Sequence, residues 1–338
     1  MKIEGHPLGG LFFMQKKFLF LSLTFFILFI PILAGLTYWG SLSRFDQDDV
    51  HLSPWGWPKE DRGYVLPTKY GEKYPIAPML LEKFENPTAN NYLVLMGGSN
   101  TFGQGMQTER PAEILGKKLS ETNVYNLSYP GWGPTNVLAA LKAMDYSGKI
   151  KGERGYFLYQ LPEYHIERAC GSARTLEWNN GASPLYEIQG QFLIRKGFMR
   201  DHFSHFELYY PLIGFYRGLK MVAGHARASW LMHYNSLQVS NCMKLIEMIF
   251  KDMKKEIDRI YPRAKFAVVM LPGFNWRYHI VKKYLVEKQF ILFNPRHQIE
   301  EMEKLIGADK LYQPDRHFTA QFYEELAPFY ENIIKSYK

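Results

Sequence analysis

"NYLVLMGGSNTFGQG", residues 91–105, is where the fold of this 338-residue chain can be read. The apolar run that closes at Met96 has the length and character of a buried strand. Gly97 and Gly98 then break it at once, and Gly103 and Gly105 follow shortly after. Glycines in this position can cradle a phosphate. Gly98 and Gly103 have the spacing of a Walker loop, but Gln104 and Gly105 stand where that loop needs Lys and Ser or Thr. The dinucleotide pattern G-x-G-x-x-G is absent as well. What remains is a strand–turn–helix corner, with Ser99 just past the carboxyl end of the strand.

The same grammar repeats outward from this corner. Residues 108–121 read as a helix, with Pro111 tolerated in its first turn. "NVYNLS" (123–128) is a second strand, residues 134–146 a second helix, and "GYFLYQ" (155–160) a third strand. In residues 241–261, Leu245, Ile246, Ile249, Phe250, Met253, Ile257 and Ile260 fall at steps of three and four, the stripe of an amphipathic helix. "KFAVVMLP" (265–272) and "FILFN" (290–294) are the fourth and fifth strands. A last helix starts near Thr319, with Phe318 and Tyr323 spaced as a hydrophobic staple. Strands alternating with helices predict a parallel sheet covered on both faces. The expected architecture is therefore a three-layer α/β/α sandwich around a five-stranded parallel sheet, flavodoxin-like in type. In such sheets function collects at the carboxyl ends of the strands.

Two further stretches carry residues suited to chemistry at that edge. "NLSYPGWGPTN" (126–136) again ends a strand in a glycine-bearing turn before a helix, and Gly131 or Gly133 can bring a backbone N–H close to a reacting atom. "QPDRHFTAQFYEELA" (313–327) places Asp315 and His317 two apart before the last helix. In an extended loop these two side chains point the same way, so the carboxylate can orient the imidazole. A serine hydroxyl needs an adjacent base and N–H donors for the developing oxyanion. Each stretch alone is weak: a glycine turn, a Pro-Gly turn, and a histidine near a helix cap.

Together, in this order, they resemble the SGNH/GDSL hydrolases. "GGSNTFGQG" is similar to the family's first block, "NLSYPGWG" to its second, and "DRH" to its last. The resemblance covers about residues 91–335. It implies Ser99 as nucleophile, His317 as base and Asp315 as its partner, with the Ser99 and Gly131 amides as oxyanion donors. It implies no metal and no cofactor. Two departures stand out. The family carries Asp before the serine, where this chain has Gly98. The family's third block ends in Asn-Asp, and its Asn side chain is an oxyanion donor; here "YQLPEYHIER" (159–168) has no Asn. Gln160, His165 and Arg168 are the substitutes this stretch offers. The expected activity is hydrolysis of acyl or acetyl esters, with envelope glycans or lipids as substrates. An O-acyltransferase using the same Ser-His-Asp site, and a degenerate fold serving as an envelope interaction module, are the alternatives.

The start of the chain sets the expected compartment. "FLFLSLTFFILFIPILAGLTYW" (18–39) is 22 residues without a charge, long enough to cross a bilayer as a helix. Lys16 and Lys17 precede it and Arg44, Asp46, Asp48 and Asp49 follow, so the positive-inside bias puts residues 1–17 in the cytoplasm and the rest outside. No A-x-A site follows the run, which speaks against a cleaved signal peptide. Residues 40–90, rich in Pro, Gly and aromatics, read as a linker and lead-in to a domain at 91–338. That domain is interrupted at about 163–235 by an insertion that covers the active-site edge. The net charge of +8 raises the question of nucleic acid, but the basic residues are scattered and no binding motif appears, so the partners expected are the bilayer, an acyl ester and a membrane protein. Cys170 and Cys242 are the only two cysteines; they can pair in an oxidising compartment or remain separate thiols.

Overall fold

A computed structural model describes residues 81–106, 109–143, 146–170, 183–199, 239–271 and 278–337. The elements are β1 (Glu82–Phe84), β2 (Asn91–Gly97), α1 (Ser99–Phe102), α2 (Pro111–Lys118), β3 (Thr122–Ser128), α3 (Pro134–Ala143), β4 (Arg154–Leu161) and α4 (Tyr164–Cys170). They continue with β5 (Pro184–Gln189), β6 (Phe192–Phe198), α5 (Val239–Ile260), β7 (Ala264–Met270), α6 (Tyr278–Glu287), β8 (Ile291–Phe293), α7 (Arg296–Ile306), α8 (Ala308–Leu311) and α9 (Ala320–Lys335). The main sheet has the order β1-β3-β2-β4-β7-β8. Its last five strands in that order are parallel, and β1 pairs antiparallel with β3 at the edge. The order reverses around β2, which lies between β3 and β4. That is a topological switch point, and in open sheets of this kind ligands bind outside the carboxyl ends of the strands at such a point. Ser99 follows directly on the end of β2.

Period-two alternation explains the three layers. Tyr92, Val94 and Met96 of β2 face one side of the sheet, where α3, α5 and α6 pack; Leu93 and Leu95 face the other, with α2, α7 and α9. Most of the stripe predicted on α5 is buried: Ile246, Ile249, Phe250, Met253 and Ile257 are all within 1% of full burial, while Leu245 and Ile260 at its margins are half-buried. The last helix begins where expected. Thr319 caps it by accepting from the Phe322 N–H, and Phe318 lies edge-on to Tyr323 with ring centroids 6.1 Å apart.

Several elements differ from expectation. The parallel sheet has its five strands, but β1 adds a sixth from within the lead-in segment; three residues with two charges carry no periodicity to detect. The second helix is shorter than residues 108–121, because Pro111 opens it and Leu119 closes it. The described part of the insertion begins with α4 and carries the hairpin β5–β6 around Gly190, whose φ of 62° suits a tight turn. The rest of the insertion, the linker before residue 81 and the apolar run at 18–39 lie outside the described residues. Among the described residues no helix is long and apolar enough to cross a membrane.

Cys170 and Cys242 form a disulfide between the end of α4 and the start of α5, with Cα atoms 5.6 Å apart. It closes a loop across a sequence separation of 72. Loop-closure entropy for that length is worth about 4 kcal/mol. Reduction, or Cys170→Ala with Cys242→Ala, is expected to lower the urea midpoint accordingly while leaving the secondary structure intact by circular dichroism.

Candidate active site

Ser99 is the first residue of α1, a single turn pinned between two strands. Asn126 of β3 donates to the Thr101 carbonyl at 2.8 Å, and the Thr101 hydroxyl donates to Gln160 Oε1 of β4 at 3.1 Å. From the final helix, the Tyr323 hydroxyl donates to the Asn100 carbonyl at 3.0 Å. Ser99 is 6% exposed, and its hydroxyl makes no hydrogen bond among the described residues. As the first residue of the helix it has no intrahelical partner for its N–H, and no other backbone group takes it up.

The second loop, between β3 and α3, is neighbour to the first because β3 lies beside β2. Gly131 has φ 84°, a left-handed conformation that favours glycine, and its N–H also has no described partner. The turn is held from below: Asn136 Oδ1 accepts from the Gly133 N–H at 3.0 Å. Two backbone N–H groups are thus left without a backbone partner on loops that follow adjacent strands, and donors of this kind are what an oxyanion hole is built from.

The third stretch separates the three substitutes. Gln160 is fully buried; its Nε2 donates to the Tyr330 hydroxyl at 2.8 Å, and its Oε1 accepts from Thr101 and from Tyr323 at 3.3 Å. These contacts tie it under α1 and α9 as a structural brace, which corrects the expectation that it can serve as the donor. His165 and Arg168 lie instead on α4, beside the Ser99 corner. A Cβ added to Gly98 would fall 2.7 Å from His165 Nε2, 2.8 Å from the Trp132 carbonyl oxygen and 3.0 Å from Arg168 Nη1. This packing accounts for the first departure: the room of the family's aspartate side chain is filled by α4.

His165 is fully buried. Its Nδ1 is 2.8 Å from the Tyr159 hydroxyl and its Nε2 is 3.3 Å from Arg168 Nη1. A guanidinium only donates, so Nε2 accepts and Nδ1–H donates to Tyr159. Burial, with the Arg168 charge adding to it, holds the imidazole far below its ordinary value of 6.5. The unfolded chain therefore binds a proton that the folded chain refuses. Stability from this group is full above about pH 6.5 and is lost as pH falls below it, by up to ~1.4 kcal/mol per pH unit. Denaturant titrations between pH 7 and 5 are expected to show this slope in the wild type and a smaller one in His165→Gln.

Asp315 and His317 come together, but not through an extended loop as expected. Residues 313–316 form a turn in which the Arg316 N–H donates to the Gln313 carbonyl at 2.8 Å, with Pro314 at its second position. Arg316 has φ 71°, and the turn is closed by a bridge between Tyr312 and Phe318. His317 Nδ1 lies 2.9 Å from Asp315 Oδ2, an ion-pair distance, although the ring N–H is not aimed along that line. The His317 backbone N–H donates to Asp315 Oδ1 at 3.2 Å. Burial alone would raise the Asp315 carboxyl; the adjacent His317 ring and the His317 backbone N–H outweigh it and hold it below the ordinary carboxylate range. This turn sits against the Ser99 loop, since Gln313 Nε2 donates to the Gln104 carbonyl at 2.8 Å. No hydrogen bond joins His317 to the Ser99 hydroxyl. Among the described residues no group of His, Cys, Asp and Glu is placed to hold a metal ion.

No family model matches the chain, and no curated protein does. Solved structures similar to it include a GDSL-like lipase from Parabacteroides merdae (9% identity, 73% of this chain and 96% of the lipase, TM-score 0.37). Others are a lipase/acylhydrolase from Enterococcus faecalis (13%, 72% and 95%, 0.35) and an acetyl xylan esterase from Butyrivibrio proteoclasticus (9%, 74% and 64%, 0.38). At these scores the likeness carries no conclusion about chemistry, which rests on this chain's own residues. Its strand order is that of a flavodoxin-like three-layer α/β/α sandwich, with the three stretches that carry Ser99, Gly131 and the Asp315–His317 pair following parallel strands of the sheet or preceding the last helix.

Proposed function

We propose that the chain is a serine ester hydrolase of SGNH type. One observation carries this: Ser99 stands at the switch point with its own N–H unengaged, beside the loop whose Gly131 N–H is also unengaged, and the Asp315–His317 turn abuts its loop. His317 takes the Ser99 proton as the hydroxyl oxygen attacks the acyl carbon. The Ser99 and Gly131 N–H groups receive the oxyanion. Collapse releases the alcohol, which leaves with the proton from His317. Water, activated by the same imidazole, then frees the acid and regenerates the serine. Asp315 fixes the imidazole orientation and steadies the imidazolium. Closing the gap between His317 and Ser99 on substrate binding is consistent with apo geometry, where catalytic hydrogen bonds are commonly long.

The acyl or acetyl esters of envelope glycans or lipids are the substrates proposed, because the chain is proposed to sit on the outer side of a membrane, held by residues 18–39. The paired Cys170 and Cys242 support that side, since disulfides persist in oxidising compartments. Purified full-length protein in detergent is expected to hydrolyse short p-nitrophenyl esters. Acyl transfer to an added sugar with negligible hydrolysis would favour the acyltransferase alternative, and no turnover of either kind would overturn the reading. A reporter enzyme fused after residue 338 is expected to be active only outside the cytoplasm; cytoplasmic activity would reverse the topology.

A further inference from the structure

The structure assigns a third member of the oxyanion hole: we infer that the Arg168 guanidinium supplies the charge that the missing third-block side-chain amide would otherwise supply. This rests on the hydrolase reading above. Arg168 is on α4, immediately after β4, the same strand end that carries the family's third block. Its Nη1 donates to the Trp132 carbonyl at 2.6 Å and lies 3.0 Å from where a Gly98 Cβ would stand. Trp132 follows Gly131, and Gly98 precedes Ser99. The guanidinium is therefore wedged between the chain neighbours of both backbone donors.

The side chain is held there along its whole length. Its stem packs on Gly133, where an added Cβ would meet Arg168 Cβ at 2.8 Å. Its guanidinium stacks over the Tyr164 ring at 4.6 Å, and His165 Nε2 receives its Nη1 from the side at 3.3 Å. A planar fork held by three contacts, with its stem packed on Gly133, needs little reorganisation as charge develops, which is the condition for electrostatic catalysis. Arg also cannot lose its proton, so the charge is present at every working pH. His165 acts through Arg168 and is a positioning residue. Gly98 is required because any side chain there meets the guanidinium, so the two departures from the family pattern are one adaptation: losing the aspartate side chain makes room for the arginine.

The test is steady-state hydrolysis of a p-nitrophenyl ester by wild type, Arg168→Met, Arg168→Lys, Gly98→Ala and Ser99→Ala. Methionine keeps the stem on Gly133, so folding is expected to be preserved; thermal melting checks this. Arg168→Met is expected to lose about 10²–10³ in kcat with KM nearly unchanged, and to regain part of it when guanidinium is added at millimolar concentration. Arg168→Lys is expected to fall between. Gly98→Ala is expected to lower kcat without removing any charge, and guanidinium is not expected to rescue it. If folded Arg168→Met keeps wild-type kcat while Ser99→Ala is dead, this inference fails and the hydrolase reading stands. A loss confined to KM, or one that guanidinium does not relieve, also overturns it, since a purely structural brace behaves that way. If the wild type itself hydrolyses nothing, the hydrolase reading fails and takes this inference with it.

Discussion

Ser99→Ala is expected to reduce ester hydrolysis by about 10⁶-fold in kcat while leaving the fold intact. The magnitude follows from the role. Without the hydroxyl there is no acyl-enzyme, and only binding and the oxyanion donors remain to assist water, worth about 10³–10⁴ over the uncatalysed rate. The expectation of an intact fold follows from the structure: the hydroxyl makes no hydrogen bond among the described residues, so alanine leaves no buried partner unpaired. KM is expected to change little. Active-site kinetics and a melting curve on the same preparation check both halves. Retained hydrolysis would return Ser99 to the status of a bystander in a glycine turn.

His317→Ala has the second largest expected effect, a loss of about 10⁴–10⁶ in kcat, because nucleophile and base act as a unit and removing either disables both. Its partner is predicted to matter less. The Asp315 side chain is 60% exposed, against 19% for His317, so solvent screens the carboxylate and water can replace part of its orienting effect. Asp315→Asn is expected to cost about 10–10² in kcat, well short of the ~10⁴ seen when such an aspartate is buried. The comparison of the two variants under identical conditions checks the ranking. A larger loss for Asp315→Asn than for His317→Ala would mean that the imidazole is not the base.

The parts of the fold set by periodicity were legible in the chain. Residues 91–97 alternate their side chains between two helical layers, and most of the α5 stripe is buried as written. The elements that escaped have physical reasons. β1 is three residues long and owes its existence to pairing with β3. α7 carries only two buried residues, Ile299 and Met302, too few to mark a stripe amid its charges. The Asp315–His317 turn depends on Arg316 adopting a left-handed φ, which no composition rule favours for arginine.

At the site, the residue types were visible in three stretches, but the competition among the third-block substitutes was not. Gln160 and His165 are both buried polar residues near the end of β4, and the sequence does not say that they serve different sides. The signal that separates them is alternation within β4: Gln160 joins the α9 layer, whereas Tyr159 joins the α5 layer that also receives α4. A glycine where the family has aspartate was the other clue, since it marks a neighbour that comes too close for a side chain.

The central claim is that Ser99 is the nucleophile of an ester-cleaving site. It is tested most directly by treating the purified full-length protein with a fluorophosphonate and mapping the adduct by intact-mass and peptide mass spectrometry. The account predicts one adduct per chain on the peptide containing Ser99, absent in Ser99→Ala and formed far more slowly in His317→Ala. No adduct on the wild type, or an adduct that persists in Ser99→Ala, would contradict it.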